Sequence, residues 1–547
     1  MGGWRPYVLL LALLLWASPV LRAQSSDEAL LASLGELREA SYADKAKIVE
    51  RLGSSGHPNA RSVLAAFLDD RLYIRQQDQR VFIVKSGDDA LVSLALIDPV
   101  SMTDAGSGAR DALAKIGTNN GLRKTLKTTL ARFDLASPDA AVRLEAAKEM
   151  LRSLDEASVA LLKTRVGGES NARVRVEIET GLALAALDGT ETTARVEAIG
   201  TLTGRLRPEV RNRLSRLLER GADGTFVEPD EAVRTAAADA VRRIDRFRSF
   251  YSSLETLFFG LSLGSVLVLI AIGLAITFGV MGVINMAHGE LMMLGAYTTY
   301  VVQLAMPNYI GASVLVAVPA AFLVSGLVGV LLERTIIRFL YGRPLETLLA
   351  TFGVSLVFQQ LVRSIFSANN RSVVTPSWMS GTFQINEALS LTYNRIYIVV
   401  FTLGVFALLL AVLKRTRLGL DIRAVAQNRA MARSMGIRSE WVDAMTFGLG
   451  SGIAGVAGVA LSQLTNVGPN LGQSYIIDSF MVVVFGGVGN LWGALIGGMS
   501  MGIVNQLLEP YAGAVLAKIL VLVALILFIQ RRPRGLFPQT GRAAENG

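Results

Sequence analysis

Thr256-Leu-Phe-Phe-Gly-Leu-Ser-Leu-Gly-Ser-Val-Leu-Val-Leu-Ile-Ala-Ile-Gly-Leu-Ala-Ile-Thr-Phe-Gly-Val280 contains no charged side chain, and none follows before Glu290. A helix needs about 20 apolar residues to cross the hydrocarbon core of a bilayer, where each backbone N–H and C=O must be satisfied inside the segment. The stretch therefore reads as a membrane crossing. Further apolar stretches place crossings near 257–280, 285–304, 311–332, 346–366, 395–413, 441–464, 476–489, 491–509 and 512–530. The seventh is short, so it is expected either to span or to form a re-entrant pair with the eighth around Gly489. The whole chain has 547 residues, 51% hydrophobic and 18% charged. That balance excludes a disordered chain and disfavours an ordinary soluble enzyme.

Charge divides the sequence. Residues 24–250 hold 34 basic and 34 acidic side chains, whereas 251–547 hold 18 and 11. Most of the net +9 therefore belongs to the apolar half, the rest to Arg5 and Arg22, and no concentrated basic stripe of the kind nucleic acid requires is present. Fourteen of the 18 basic residues lie in 333–345, 414–438 and the tail after 530, which the positive-inside bias makes cytoplasmic. The connections at 305–310 and 465–475 carry no basic residue and should face outward.

The first 23 residues have a basic start, an apolar run from Tyr7 to Val20 and a small residue at Ala23. This reads as a signal peptide, 1–23, with an uncleaved anchor as the alternative. Either sends residues 24–250 across the membrane. Those residues show helical periodicity, and a turn or cap followed by Val-Arg recurs at Ser137–Arg143, Asn171–Arg175, Pro208–Arg211 and Pro229–Arg234. Stacked two-helix units of the HEAT type are expected, or else a non-repetitive helical domain. The fold class is accordingly all-α: an extracytoplasmic helical domain over 24–250, a polytopic membrane domain of eight or nine crossings over 251–535, and a cytoplasmic tail over 536–547.

Catalytic chemistry is scarce. The chain has no Cys and only His57 and His288, so no zinc, iron–sulfur or thiol site and no disulfide is expected. No Gly-Lys dipeptide occurs, which removes a phosphate loop, and there is no His-Glu-x-x-His. No catalytic, cofactor or metal residue is assigned, and any ATP must be bound by another subunit.

Polar groups in the apolar half are the candidates for a solute pathway, since ionisable side chains are costly in hydrocarbon. They are Asn285, His288, Glu290, Gln359, Asn490 and Lys518, with Asp478 or Glu509 as a partner for the lysine. Snorkelling, helix-to-helix hydrogen bonding and a structural ion pair are the alternatives. The glycine rows 489/493/497 and 448/452/455/458 read as close-packing faces, or as surfaces on which helices slide.

Between the fifth and sixth crossings lies Gly419-Leu-Asp-Ile-Arg423-Ala-Val-Ala-Gln427-Asn-Arg429-Ala-Met-Ala-Arg433-Ser-Met-Gly436-Ile437. At 100° per residue, Leu420, Ala424, Met431 and Met435 share one arc and Arg423, Arg429 and Arg433 project from the other. Gly436 can cap the end. A short two-faced helix of this kind can dock in a groove of a soluble partner, or lie on anionic membrane lipid.

These residues resemble the permease subunits of the branched-chain amino acid and urea class of ABC importers. The likeness runs from Leu254 to the tail and rests on Gly279–Tyr297, Gly419–Ile437 and Phe485–Ala494. It implies that Gly419–Ile437 engages the ATPase and that no cofactor is held here. The implied partners are a second homologous permease, two ATP-binding subunits and a periplasmic solute-binding protein. It also implies a place in a bacterial inner membrane. The extra domain ahead of the first crossing resembles the urea-type members, so urea is the expected solute, with branched-chain amino acids or short amides as the alternative. An ion-coupled secondary transporter using Lys518, His288 and Asp478 is a rival, and a membrane-anchored scaffold a weaker one.

Overall fold

The computed structural model describes residues 27–85, 93–222 and 224–537. The signal-peptide reading of 1–23 and nearly all of the tail fall outside them. The chain separates into two compact units, Met1–Arg246 and Phe247–Gly547.

The amino-terminal unit opens with α1 (27–36), α2 (Tyr42–Ser54) and α3 (Ala60–Leu68). A sheet then follows, which corrects the all-α expectation. Strands β1 (Leu72–Arg75), β2 (Val81–Val84), β3 (Ser93–Ile97), β4 (Asp104–Ala109) and β5 (Leu113–Lys115) form one antiparallel sheet in the order β4-β3-β2-β1-β5. Alternate side chains go to opposite faces. Leu72, Ile74, Val81 and Ile83 join the core of α1–α3 and α4 (Asn120–Asp134), while Tyr73, Phe82, Val84, Leu94 and Leu96 form a second cluster behind them. Strands β1 and β2 are apolar on both faces and lack the clean alternation that betrays a half-exposed sheet, whereas β3 alternates exposed and buried residues and β4 has no buried residue.

Beyond the sheet the unit is helical: α5 (Ala140–Met150), α6 (Glu156–Val166), α7 (Ala172–Ala186), α8 (Thr192–Leu202), α9 (Pro208–Arg216) and the start of α10 (Glu231–Met281). At three of the four recurrences the turn supplies a side-chain N-cap, while at the fourth Pro208 opens α9 without one. Asp139 accepts from the Ala141 N–H, Asn171 from Arg173 and Val174, and Asp230 from Ala232 and Val233. Four residues after each cap an arginine turns back: Arg143 donates to the Ser137 and Pro138 carbonyls, Arg175 to Glu169, and Arg234 to Glu228 and Pro229. Glu169 also takes a fork of two bonds from Arg143, both 2.8 Å, and Glu228 pairs with Arg195. The Arg143 guanidinium holds the Glu169 carboxyl down at about 2.

The carboxy-terminal unit comprises the rest of α10 with α11 (His288–Ala305), α12 (Ile310–Thr335), α13 (Pro344–Phe366), a hairpin of β6 (Thr382–Asn386) and β7 (Leu389–Thr392), α14 (Tyr393–Arg415), α15 (Arg417–Gln427), α16 (Arg429–Ser434), α17 (Ser439–Ser462), α18 (Leu471–Gly486) and α19 (Leu491–Arg531). Among the described residues six helical segments are long and apolar enough to cross a membrane, and α18 is a shorter apolar helix. The eighth and ninth expected crossings lie in α19, whose regular geometry breaks at Gly513 (φ 77°) just after Pro510. The second expected crossing starts three residues late, because Gly282 (φ 66°) turns the chain and Asn285 stays outside the helix.

Helix α17 is almost entirely buried. Its glycines are contact points between backbones: a Cβ at Gly450 would meet the Gly273 carbonyl, one at Gly455 the Ala321 carbonyl and Ser325, and one at Gly458 the Met292 carbonyl, all inside 3.0 Å. Two Gly-x-Ser-x-Gly stretches, Gly260–Gly264 and Gly498–Gly502, pack on each other where α10 crosses α19. They lie in mid-helix, without the strand–turn–helix setting of a nucleophile elbow, and read as close-packing contacts.

Candidate functional site

The first site grows from the turn after α10. The Asn285 side chain accepts from the Ala287 N–H (3.0 Å) and fixes the approach to α11, while Met286 N–H donates to Thr351 Oγ1 on α13 (3.1 Å). His288, fully buried at the start of α11, donates from Nε2 to the Ile270 carbonyl (3.0 Å). Beside it Gly289 lies against the Gly472 backbone. Half a turn on, Glu290 Oε1 accepts from Gln359 Nε2 (2.8 Å) and Ser355 Oγ (3.0 Å). Glu290 is 1% exposed. Its Oε2 has no partner among the described residues, and neither do His288 Nδ1 and Asn285 Nδ2.

A buried carboxylate oxygen without a donor forfeits several kcal/mol of solvation, about what a charged hydrogen bond would return. The arrangement can therefore accept N–H donors from a solute that reaches it. Of the polar groups read from the sequence, Asn285, His288, Glu290 and Gln359 gather here. Asn490 and Lys518 are engaged elsewhere. Asn490 caps α19, accepting from Trp492 and Gly493, and Lys518 pairs with Asp478 at 2.9 Å rather than with Glu509. Sequence reading missed Thr351 and Ser355. Thr347, Thr351, Ser355 and Gln359 recur every fourth residue along the buried side of α13, and that spacing in an otherwise apolar helix was the available signal.

The second site is the segment between α14 and α17. The single helix expected over Gly419–Ile437 is two, α15 and α16, broken at Asn428, whose side chain caps α16 by accepting from the Met431 N–H (2.9 Å). The break overrides one continuous 100° arc. Leu420, Met431 and Met435 are exposed, as expected, but Ala424 packs inward beside Ile422 and Val425. Arg423 and Arg433 are exposed, and each arginine also has a partner within the fold. Arg423 donates to the Leu413 carbonyl, Arg429 grips Asp443 with two bonds and stacks on Tyr341 (4.0 Å), and Arg433 donates to Ser439 Oγ (2.6 Å). Gly419 lies tight against the Leu413 backbone, leaving no room for a side chain. Gly436 (φ 87°) closes α16, and Ile437 N–H returns to the Ala432 carbonyl.

Residues 256–529 match the family described as "Branched-chain amino acid transport system / permease component". The chain is 32% identical over 296 residues to the high-affinity branched-chain amino acid transport system permease protein BraD of Pseudomonas aeruginosa, covering 52% of this chain and 96% of that one. It is 31% identical over 297 residues to LivH of Escherichia coli K12, a permease protein of the same description, with the same coverage. The ribose import permease protein RbsC of that organism is 25% identical over 265 residues, 47% of this chain and 78% of its own. No solved structure matches. The family is one of ABC transport permeases rather than enzymes, and its members work with ATP-binding and solute-binding partners in a membrane. With its carboxy-terminal unit matched almost end to end, the chain belongs to the branched-chain amino acid permease family of ABC transporters.

Proposed function

We propose that this chain lines half of the translocation pathway of an importer whose solute is a branched-chain amino acid or a short amide, with ATP hydrolysed on separate subunits. The other half is a second homologous permease, and a solute-binding protein delivers the cargo on the outer side. In this reading the amino-terminal unit, with its HEAT-like arginine ladder, lies outside the cell membrane, and the α15–α16 segment and the tail lie inside. The observation that carries it is Glu290: a buried carboxylate, met on one oxygen by Ser355 and Gln359 and open on the other, suits the ammonium group of an amino acid.

Urea is the second reading. The family match begins only at residue 256, which leaves a large amino-terminal unit beyond what such permeases need. The neutral donors and acceptors of the α13 stripe also suit an uncharged solute. Glu290→Gln separates the two, because an amide oxygen still accepts an N–H from a neutral solute but cannot balance an ammonium. Uptake of labelled leucine should fall about 10- to 100-fold, the worth of a charge-assisted bond, and uptake of a neutral amide by less than about fivefold. Uptake of urea but not leucine by the unaltered chain would establish the second reading. Uptake that survives ATP depletion and collapses with the proton gradient would defeat both.

A further inference from the structure

The α15–α16 segment exposes Leu420, Met431 and Met435, and each of its arginines, of which Arg423 and Arg433 stay largely exposed, is engaged with a neighbouring group. Arg429, the first residue of α16, meets Asp443 on the first turns of α17, and Asp443 is 3% exposed. The Tyr341 ring covers the guanidinium, and four residues on Arg433 reaches Ser439, also buried. A two-bond grip between planar groups fixes angle as well as distance, and the ring removes the remaining freedom to swing. The segment therefore cannot rotate on the end of α17 without breaking a buried ion pair. Helix α17 itself touches its neighbours through glycine: Gly450 on Gly273 of α10, Gly455 on Gly295 of α11 and on α12, Gly458 on the Met292 carbonyl of α11. Side chains also seat in these notches, Phe322 against Gly452, Val330 against Gly448 and Thr277 against Gly450, so α17 is keyed to its neighbours along the helix axis. Helix α11 carries Glu290.

We infer that Asp443 is a positioning residue. With Arg429 and Tyr341 it forms the joint that passes a displacement of the α15–α16 segment to α17, and α17 passes it over the glycine contacts to α11. From Asp443 to Gly458 is 15 residues, about 22 Å of helix at 1.5 Å per residue, enough to link the docking end to the core of the membrane unit. The inference rests on the importer reading above. It divides the labour within the segment: Leu420, Met431 and Met435 receive the partner, and the arginines hold the lever to its shaft.

The test uses the full chain co-expressed with its permease and ATPase partners and reconstituted in vesicles, with solute import and ATP hydrolysis measured together. Asp443→Asn should leave assembly intact and basal ATP hydrolysis within about twofold, while import per ATP falls at least tenfold. The exchanged pair Arg429→Asp with Asp443→Arg should restore most of the import, because the ion pair is remade with its ends reversed. Unchanged import per ATP in Asp443→Asn overturns the inference. So does parallel loss of assembly, hydrolysis and import without rescue by the exchanged pair, since Asp443 would then only maintain the fold. If the unaltered complex shows no ATP-dependent import, the importer reading itself has failed.

Discussion

The two units are held together by different contacts. In the amino-terminal unit arginines tie buried carboxylates to carbonyls: Arg143 satisfies Glu169 while also binding two carbonyls, and Arg195 binds Glu228 and the Leu187 carbonyl, although Glu177 Oε2 is left without a partner. In the carboxy-terminal unit cohesion comes from backbones in contact at glycine, and the polar groups at the start of α11 keep unfilled valences. Hydrogen-bonded arginine networks give a helical unit specificity. Helices that meet at glycine can pack backbone to backbone without them.

The sharpest break of this contrast is Gly458→Val. The added carbons would run into the Met292 carbonyl of α11, a backbone wall that cannot turn away, so a loss of about 3 kcal/mol or more is expected. Little folded protein should be recovered from membranes, as read by detergent-solubilised yield and size exclusion. The paired change Gly404→Ala meets nothing within 4 Å and should leave the yield unaltered. Similar losses for the two glycines would remove the argument that these contacts hold the unit together.

Next comes Arg143→Ala, which strands the buried Glu169 carboxylate. Removing one partner of a buried pair costs about 3–5 kcal/mol, and hydrogen exchange in α5 and α7 of the full chain should rise accordingly. The same pair gives the unit a pH response. Glu169 titrates at about 2 in the folded protein, below its unfolded value of about 4.3. Its contribution is therefore complete above that unfolded value and is lost as pH falls toward 2. Exchange protection in α5 and α7 should weaken over that window in the unaltered chain and much less in Arg143→Ala. The smallest effect is Asn171→Ala, which deletes the cap of α7 for about 1 kcal/mol and should show as faster exchange of its first turn alone.

Much of this architecture was legible, and the exceptions have physical causes. The caps Asn171 and Asp139 and the Val-Arg steps were visible because capping chemistry is local in sequence. The sheet at Leu72–Lys115 was not, because its strands are short and β1 and β2 are apolar on both faces, which leaves period-two contrast only in the five residues of β3. The arc drawn through Gly419–Ile437 failed at one residue: Asn428 spends its side chain on capping α16, and the arginines on either side of the break find separate partners, Arg423 on the Leu413 carbonyl, Arg429 on Asp443 and Arg433 on Ser439. Glu290 and Gln359 were both candidates, but nothing in the chain order says that they touch across 69 residues.

From the amino acids alone came the placement of the main apolar segments, the division into two units and the absence of a phosphate loop, since each depends on composition within a window the length of a helix; nine crossings were expected, and among the described residues six helices are long and apolar enough to cross a membrane. Only the tertiary structure decided which polar groups meet and which face of the α15–α16 segment is free, and it alone showed that Asp443 ties that segment to α17. Those outcomes depend on helices many residues apart approaching at glycine, and a side chain's partner is chosen by that approach and not by its neighbours in the chain.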